Sequence, residues 1–497
     1  MNSKGVLTDN DRDFFDLVTS AILANPFSES RDKLDKKMAS YYEGEPVSGV
    51  VNKAILAVDQ KIRQLKEKNR ANLIYFSGHD RELIANAFIF MFFYSFKDKF
   101  DQFIIDQTRA GDEPITLSFA DEALEYFRSR GFETKTALRH IALAYQFRRA
   151  FYFIGYSLIG QSPVMKQLRN DLWNNIFTHN VRLYEKYLWN RMENFSTLLL
   201  GETGTGKGTA AMAIGRSGFI PFDIKKKTFV ESFTRSFISL NLSQFPESLL
   251  ESELFGHKKG AFTGAVEDHK GIFEKCSPFG SILLDEIGEV SIPVQIKLLQ
   301  VLQDRVFSPV GSHTKSRFEG RVIAATNRNI HEIQHEKILR DDFYYRLCSE
   351  VITVPRLQLR IQETPAELDM LLEYLIEKML GSKSNEVIEM VRDVVFTKLG
   401  KNYAWPGNVR ELEQCIRSVI INSSYEGVSR KRADNIHYFL TEGIGRGDLD
   451  AQSLLSGYCY MLYNNLGTYE EVARRTSLDR RTVKKHIVEW EKRLGNP

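Results

Sequence analysis

The segment Gly201-Glu202-Thr203-Gly204-Thr205-Gly206-Lys207 restricts the folds open to this 497-residue chain more than any other feature. It has the pattern GxxxxGK, follows the apolar run Thr197-Leu198-Leu199-Leu200, and precedes Ala210-Ala211-Met212-Ala213-Ile214, a good helix start. Strand, glycine-rich turn and helix in that order make a phosphate-binding loop. The glycines let successive backbone N–H groups face one anion, the helix adds its positive end, and Lys207 reaches the terminal phosphates. Gly208 stands where such loops usually carry a magnesium-ligating Ser or Thr. Thr209 supplies the next hydroxyl, and whether it substitutes stays open at this level.

Further apolar runs follow at Phe237-Ile238-Ser239-Leu240, Ser281-Ile282-Leu283-Leu284 and Val322-Ile323-Ala324-Ala325, each separated by helical patterns. Short apolar strands alternating with helices predict a parallel sheet buried on both faces. The third run ends in Asp285-Glu286. A buried strand ending in two acids places them at the C-terminal edge of the sheet, beside the phosphate loop. There Asp285 can hold magnesium through water and Glu286 can orient or deprotonate an attacking water.

Around this centre lie two other textures. Residues 1–155 read as mostly helical, with Ile55, Val58, Ile62 and Leu65 at three- and four-residue steps; 72–76 and 115–117 are candidate short strands. The abundant aromatics there read as ordinary core, a ligand pocket being the alternative. No early acidic pair with a strand-end aspartate occurs, so a phosphoacceptor receiver is not expected. Residues 363–438 read as helices only, 439–450 as a glycine-rich linker, and 451–497 as a small helical module. Apolar residues at 43% and charged residues at 26% rule out bulk disorder. The net charge of +3 means any nucleic-acid surface must be local. The four cysteines, Cys276, Cys348, Cys415 and Cys459, include no CxxC pair, which fits a reducing compartment rather than a zinc ribbon or disulfide scaffold. The apolar run from Ala87 to Tyr94 is far below the roughly 20 residues of a membrane span, and the first residues lack signal-peptide character, so a cytoplasmic protein is expected.

The segment Glu253-Leu254-Phe255-Gly256-His257-Lys258-Lys259-Gly260-Ala261-Phe262-Thr263-Gly264-Ala265 resembles the signature of bacterial enhancer-binding proteins, the AAA+ ATPases that activate sigma-54 RNA polymerase. The resemblance runs from about Leu158 to about Ser424. It implies that Gly260, Ala261, Phe262, Thr263, Gly264 and Ala265 form the loop that touches sigma-54, with Phe262 offered at its tip. Asn241 is then similar to a switch residue restraining the catalytic Glu286, and Asn327 to a γ-phosphate sensor. Arg340 and Arg346 resemble arginines donated to a neighbouring subunit, and Arg410, in Trp405-Pro406-Gly407-Asn408-Val409-Arg410, the lid arginine that contacts nucleotide. Trans-acting arginines imply a ring, usually a hexamer; without the neighbouring motifs, Arg340 and Arg346 would read as surface ion-pair partners. This chain departs from the family at Gly208, at Pro355-Arg356-Leu357-Gln358-Leu359-Arg360, and in a longer stretch before the phosphate loop.

Near the end, Thr468 to His486 reads as helix, tight turn and helix, with Val472, Ala473, Leu478, Val483 and Ile487 inside, and Thr468 and Ser477 or Asp479 as N-caps. Arg480, Arg481, Lys484 and Lys485 share one face, suited to a major groove or, more blandly, to solvent. The expected whole is an α/β AAA+ P-loop ATPase (156–362) with a helical lid (363–438), an α-rich N-terminal domain (1–155) and a small all-α helix-turn-helix domain. The resemblance implies ATP and Mg2+ as cofactors, with sigma-54 RNA polymerase holoenzyme, double-stranded enhancer DNA and a homo-oligomeric ring as partners. An activating ligand or protein at the N-terminal domain is expected but not identified. A repressor or scaffold with an uncoupled motor, and an AAA+ remodeller of another protein, are the competing readings.

Overall fold

The computed structural model describes residues 7–42, 49–400, 403–427, 432–447 and 449–495. They divide into two compact units, Met1–Val391 with Tyr403–Ile420, and Arg392–Asn402 with Ile421–Pro497.

The first unit opens with helices α1 (Asp9–Leu23), α2 (Glu29–Met38), α3 (Val50–Glu67), α4 (Gly78–Ser95), α5 (Lys97–Ala110), α6 (Ala120–Arg128), α7 (Thr134–Ser157) and α8 (Pro163–Phe177). Thr8 and Ser28 cap α1 and α2 by accepting from the N–H groups of Asp11 and Arg31. The apolar run of 87–94 falls in α4, which buries Ala87, Phe88, Phe90 and Phe92, so it is a core helix. Among the described residues no helix is long and apolar enough to cross a membrane. The two candidate strands here do not form. Leu73–Tyr75 is a 3-10 turn, because the Asn72 side chain accepts from Ile74 N and competes with extended pairing. Residue 116 makes a single bridge to Thr228.

A short helix, α9 (Val181–Leu183), and a π turn (Tyr184–Leu188) lead to β1 (Thr197–Leu200) and then α10 (Lys207–Gly215). Next come the hairpin strands β2 (Phe222–Asp223) and β3 (Thr228–Phe229), β4 (Phe237–Asn241), helices α11 (Glu247–Phe255) and α12 (Ile272–Lys275), and β5 (Ser281–Asp285). Helix α13 (Ile292–Asp304), the hairpin β6 (Val306–Phe307) and β7 (Ser316–Arg317), β8 (Arg321–Thr326), helices α14 (Ile330–His335) and α15 (Asp341–Leu347), and β9 (Glu350–Thr353) follow. The five-stranded sheet has the order β4-β5-β8-β1-β9 and every pairing is parallel. Its four inner and leading strands coincide with the four apolar runs. The fifth, β9, is an edge strand like β4 and, like it, buries a single residue, Ile352; its first residue, Glu350, is charged, and sequence reading passed over the strand.

The expected boundary at 155/156 falls inside α7, and one apolar core runs through it, joining Phe153 and Ile154 to Leu199, Ala210, Ile214 and Ile323. Polar contacts reinforce the junction. Arg149, wholly buried, donates to the carbonyls of Arg216 and Gly218, both at 2.7 Å, and Gln146 donates to Ser217 O at 2.8 Å. Burial pushes the Arg149 guanidinium down to about 10, so it stays charged at neutral pH. Tyr145 stacks on Phe229 at 4.0 Å. The N-terminal helices thus grip the C-terminal end of α10, the helix that begins with Lys207.

After β9 come α16 (Leu357–Glu363), α17 (Ala366–Leu380), α18 (Asn385–Val394) and α19 (Asn408–Asn422). Glu367 and Arg360 form an ion pair at 0% and 4% exposure. Glu367 also accepts from the N–H groups of Gln161 (3.2 Å) and Ser162 (2.8 Å), while Arg360 donates to Ile159 O (2.6 Å). This junction requires Gly160, at φ +134°, since a Cβ there would sit 2.3 Å from the Glu367 carboxylate.

The second unit contains α20 (Arg432–Arg446), α21 (Ala451–Leu466), α22 (Tyr469–Thr476) and α23 (Arg480–Gly495). The linker expected at 439–450 is mostly the second half of α20. Its Leu440 is 5% exposed and packs with Ile436 and Trp490, and Gly443 lies against Leu449. Of the glycines that suggest a linker, Gly443 allows close packing, whereas Gly445 and Gly447 have open space around them. The four cysteines are free thiols, and burial raises each of them.

Candidate functional site

The loop between β1 and α10 takes the conformation its glycines permit. Gly204 and Gly206 have φ of +81° and +104°, and a Cβ on Gly204 would come within 2.2 Å of Gly407 O. Thr205 Oγ1 closes the turn on Glu202 O at 2.9 Å. Lys207 Nζ donates across the loop to Gly201 O at 2.7 Å and Glu202 O at 3.2 Å. Its burial lowers the ammonium pKa, opposed by the nearby Glu286 and Asp285. A lysine fixed in this way, among backbone N–H groups at a helix start, has the chemistry to receive a phosphate.

Strand β5 delivers Asp285 and Glu286 to the same place. Glu286 leaves the strand in the left-handed region at φ +58° and its Oε2 is buried with no hydrogen-bond partner. A strained residue bearing an unsatisfied carboxylate oxygen marks a site with a use for that oxygen. Asn241 is the register partner of Asp285 on β4, and its Oδ1 accepts from Ser243 N and Oγ. Asn327, at the end of β8, reaches Thr203 Oγ1 at 3.5 Å.

These groups border a cavity of about 550 Å³ lined by Thr203 to Thr209, Asn241, Asp285, Glu286 and Arg410. The loop amides, Lys207, Arg410 and the two acids make part of this lining polar, and Leu158, Ile159, Met165, Leu168, Leu371 and Leu375 make part of it apolar. A lining with both an anion-binding and an apolar part suits a nucleotide. Gly201, Glu202 and Asn327 stand just behind this lining. Gly208 has open space around a built Cβ and an ordinary backbone, so nothing steric requires glycine there. Gly208→Ala therefore raises stability by about 0.5–1 kcal/mol through lost unfolded-state entropy, read as a higher urea midpoint. Thr209, the next residue after Gly208, lines the cavity.

Arg340 and Arg346 do not border this cavity. Arg340 pairs with the neighbouring Asp342 at 2.8 Å, and Arg346 Nε donates to Leu302 O at 3.1 Å; both are exposed. Sequence reading passed over Asn408. It is wholly buried at φ +52° and donates to Glu202 Oε2 and Thr203 O, both at 3.1 Å, while accepting from Leu357 N at 2.7 Å. It clasps the phosphate loop to the lid helix; its only sequence signal is an Asn after Pro406-Gly407 at a helix start.

The loop 257–269 is closed at its base by the His257–His269 bridge and by Lys258 to Asp268 at 2.6 Å. Gly260 N donates to Ala265 O at 2.8 Å, and Gly260 and Gly264 take φ of +80° and +102° with open space around them. Phe262 is not offered at the tip as expected. Its ring lies edge-on to His257 at 4.9 Å and is half-buried, because an aromatic gains more by packing on the loop's own base. Thr263 and Val266 are what project, and Ala265 is buried. A second loop supports the first: Lys258 N donates to Val310 O at 3.0 Å, and a Cβ on Gly311 would sit 2.7 Å from Ala261 Cβ.

In the second unit, Val472, Val483 and Ile487 pack with Cys459 and Leu462. Thr468 caps α22, and Asp479 Oδ1 accepts from Arg481 N at 2.7 Å; Ser477 is the left-handed C-cap of α22 rather than an N-cap. Arg480 pairs with Glu470 at 2.9 Å, while Arg481, Lys484 and Lys485 stand exposed on α23.

Comparison with known proteins agrees with this geometry. Residues 175–353 match the sigma-54 interaction domain and residues 362–433 the AAA+ ATPase lid domain. The chain is 40% identical over 282 residues to the Nif-specific regulatory protein of Azotobacter vinelandii, covering 57% of this chain and 47% of that one. It is 38% identical over 229 residues to the regulatory protein AtoC of Escherichia coli, covering 46% of each. The chain thus spans about half the length of these curated relatives. NtrX of Brucella abortus, solved with ATP, aligns at 20% identity and a TM-score of 0.40, covering 74% of this chain and 80% of that one. Over residues 175–353 this chain belongs to the sigma-54 interaction domain family, and over residues 362–433 to the AAA+ ATPase lid domain family.

Proposed function

We propose that the chain is an ATP-hydrolysing transcriptional activator of the cytoplasm that binds enhancer DNA and remodels sigma-54 RNA polymerase from closed to open complex. The observation that carries this reading is the pairing, in one α/β core, of the Lys207–Glu286 cavity with the closed loop that projects Thr263. The loop amides and Lys207 hold the phosphates, and Arg410 closes on them from the lid. Glu286, with its unengaged Oε2, orients the attacking water and accepts its proton. Asn327 reports the phosphate end through Thr203, and Asn241 links the acid pair to the adjacent strand. The oxygen donors in the cavity lining fit magnesium: Asp285 would hold it through water, with Thr209 as a further oxygen donor, and the ion would neutralise developing phosphate charge. Arg340 and Arg346, remote from their own cavity, complete a neighbour's site in a homo-oligomeric ring, most simply a hexamer. Purified protein should form permanganate-reactive open complexes on a sigma-54 promoter with ATP and none with a non-hydrolysable analogue; open complexes under both conditions, or neither, would refute the reading.

Helix α23 serves as the DNA-reading element, its cations meeting phosphates and guanine edges in the major groove. Arg481→Ala with Lys484→Ala weakens enhancer binding and flattens the salt slope by about 1 per lost cation, measured by fluorescence anisotropy across a salt series.

A further inference from the structure

A second cavity, of about 770 Å³, lies among the N-terminal helices and reaches the π turn after α9. Phe90, Phe93, Tyr94, Phe147, Phe151 and Trp173 give it an aromatic wall. Most of the charges around it are already matched: Arg31 with Asp35, Arg148 with Asp101, and Arg182 with Glu82. Arg139 differs. Its Nε and Nη2 are both buried and neither has a hydrogen-bond acceptor. Those two nitrogens form one edge of the guanidinium, the edge that takes a carboxylate, sulfonate or phosphate in bidentate fashion. The indole Nε1 of Trp173, a residue 5% exposed in the same lining, is a third donor without an acceptor. The facing groups do not supply one. Burial holds His140 neutral, its pKa pushed down to about 4; burial also raises the carboxyl of Glu185, opposed by the charges of Arg139 and Arg182, and Glu185 makes no hydrogen bond to either buried nitrogen of Arg139.

We infer that this cavity binds a small organic anion with an aromatic or acyl body, its apolar part against the aromatic wall and its acid group on the Nε–Nη2 edge of Arg139, which a turn of that side chain brings out of its buried position.

The same helices carry the signal onward. One face of α7 presents Arg139, Leu143, Phe147 and Phe151 to this cavity, and the other sends Gln146 and Arg149 to the end of α10. Ser157, the last residue of α7, borders the nucleotide cavity. Helix α8 does the same, with Trp173 in the aromatic wall and Met165 and Leu168 against the nucleotide cavity. Two rigid helices shared by two cavities couple their occupancies. This coupling rests on the nucleotide reading above, whereas binding of the anion does not.

The test uses the full chain and the fluorescent probe anilinonaphthalene sulfonate, with the uncharged phenylnaphthylamine as its counterpart. Saturable binding of the sulfonate is expected, weaker by about tenfold or more in Arg139→Met, while the uncharged probe is indifferent to that change. Equal affinity of the sulfonate for both proteins, or no saturable binding to the native chain, overturns the proposal. Should Arg139→Met fail to fold, Trp173→Phe, which removes one donor at little change in shape, must still weaken the sulfonate severalfold. Saturating ADP should shift the sulfonate Kd by about fivefold or more, and a Kd unmoved by bound ADP overturns the coupling. A chain that binds the probe but not ADP, by a separate titration, would contradict the nucleotide reading and leave the anion site standing.

Discussion

Replacing Arg340 and Arg346 together by alanine lowers ATP turnover by about 10³–10⁵, with little change in stability or nucleotide affinity. The loss corresponds to about 4–7 kcal/mol of transition-state stabilisation, the scale of a positioned guanidinium in a dry site. Neither arginine borders the cavity of its own chain, so nucleotide binding there is undisturbed. Their local roles are minor. Arg340 holds Asp342 in a surface pair with side chains 42% and 44% exposed, and such pairs add little. The decisive measurement is complementation. Subunits lacking both arginines keep an intact acid pair, and Glu286→Gln subunits keep their arginines. Each alone is inactive, while a mixture regains turnover at boundaries that join a complete set. Full activity in the arginine variant, or a mixture no better than its components, would place these residues outside the chemistry.

The second large effect concerns stability. Glu367→Ala costs about 3–5 kcal/mol, because it leaves the buried Arg360 guanidinium without its counter-charge. It also removes the acceptor for Gln161 and Ser162 N–H. Urea denaturation should show the midpoint falling sharply. Arg360→Met with Glu367→Leu, which removes both charges and keeps the volume, should recover most of the loss. A Glu367→Ala chain within about 1 kcal/mol of the parent would mean that the junction is solvated and the pair unimportant. Because Arg360 and Ile159 also border the nucleotide cavity, the doubly apolar variant further asks whether this lid junction sets ATP affinity.

The central α/β core was legible because its physics is local. The glycine spacing before Lys207, the acids ending β5 and the apolar runs of the inner strands each follow from a few adjacent residues. What escaped was non-local. Edge strand β9 is four residues long, opens on the charged Glu350 and takes its place only by pairing with β1, far earlier in the chain. Glu367 and Arg360 are seven apart in sequence, but their partners lie at 159–162, and no local pattern joins those segments. Asn408 is unremarkable in composition and owes its role to a positive φ that turns it towards the phosphate loop. The expected linker at 439–450 misled because glycine signals both flexibility and close packing, and the burial of Leu440 decides for packing. Phe262 misled in the opposite sense: its neighbours suggested exposure, and His257 supplies a surface that covers it.

The most direct test of the account is a paired measurement on Thr263→Ala, scoring ATP turnover and open-complex formation on a sigma-54 promoter in the same preparation. Thr263 is exposed and outside the nucleotide cavity, so turnover should stay near that of the unaltered chain while open complexes disappear. Loss of both activities together, or open complexes formed at the normal rate, would contradict a motor that acts through this loop.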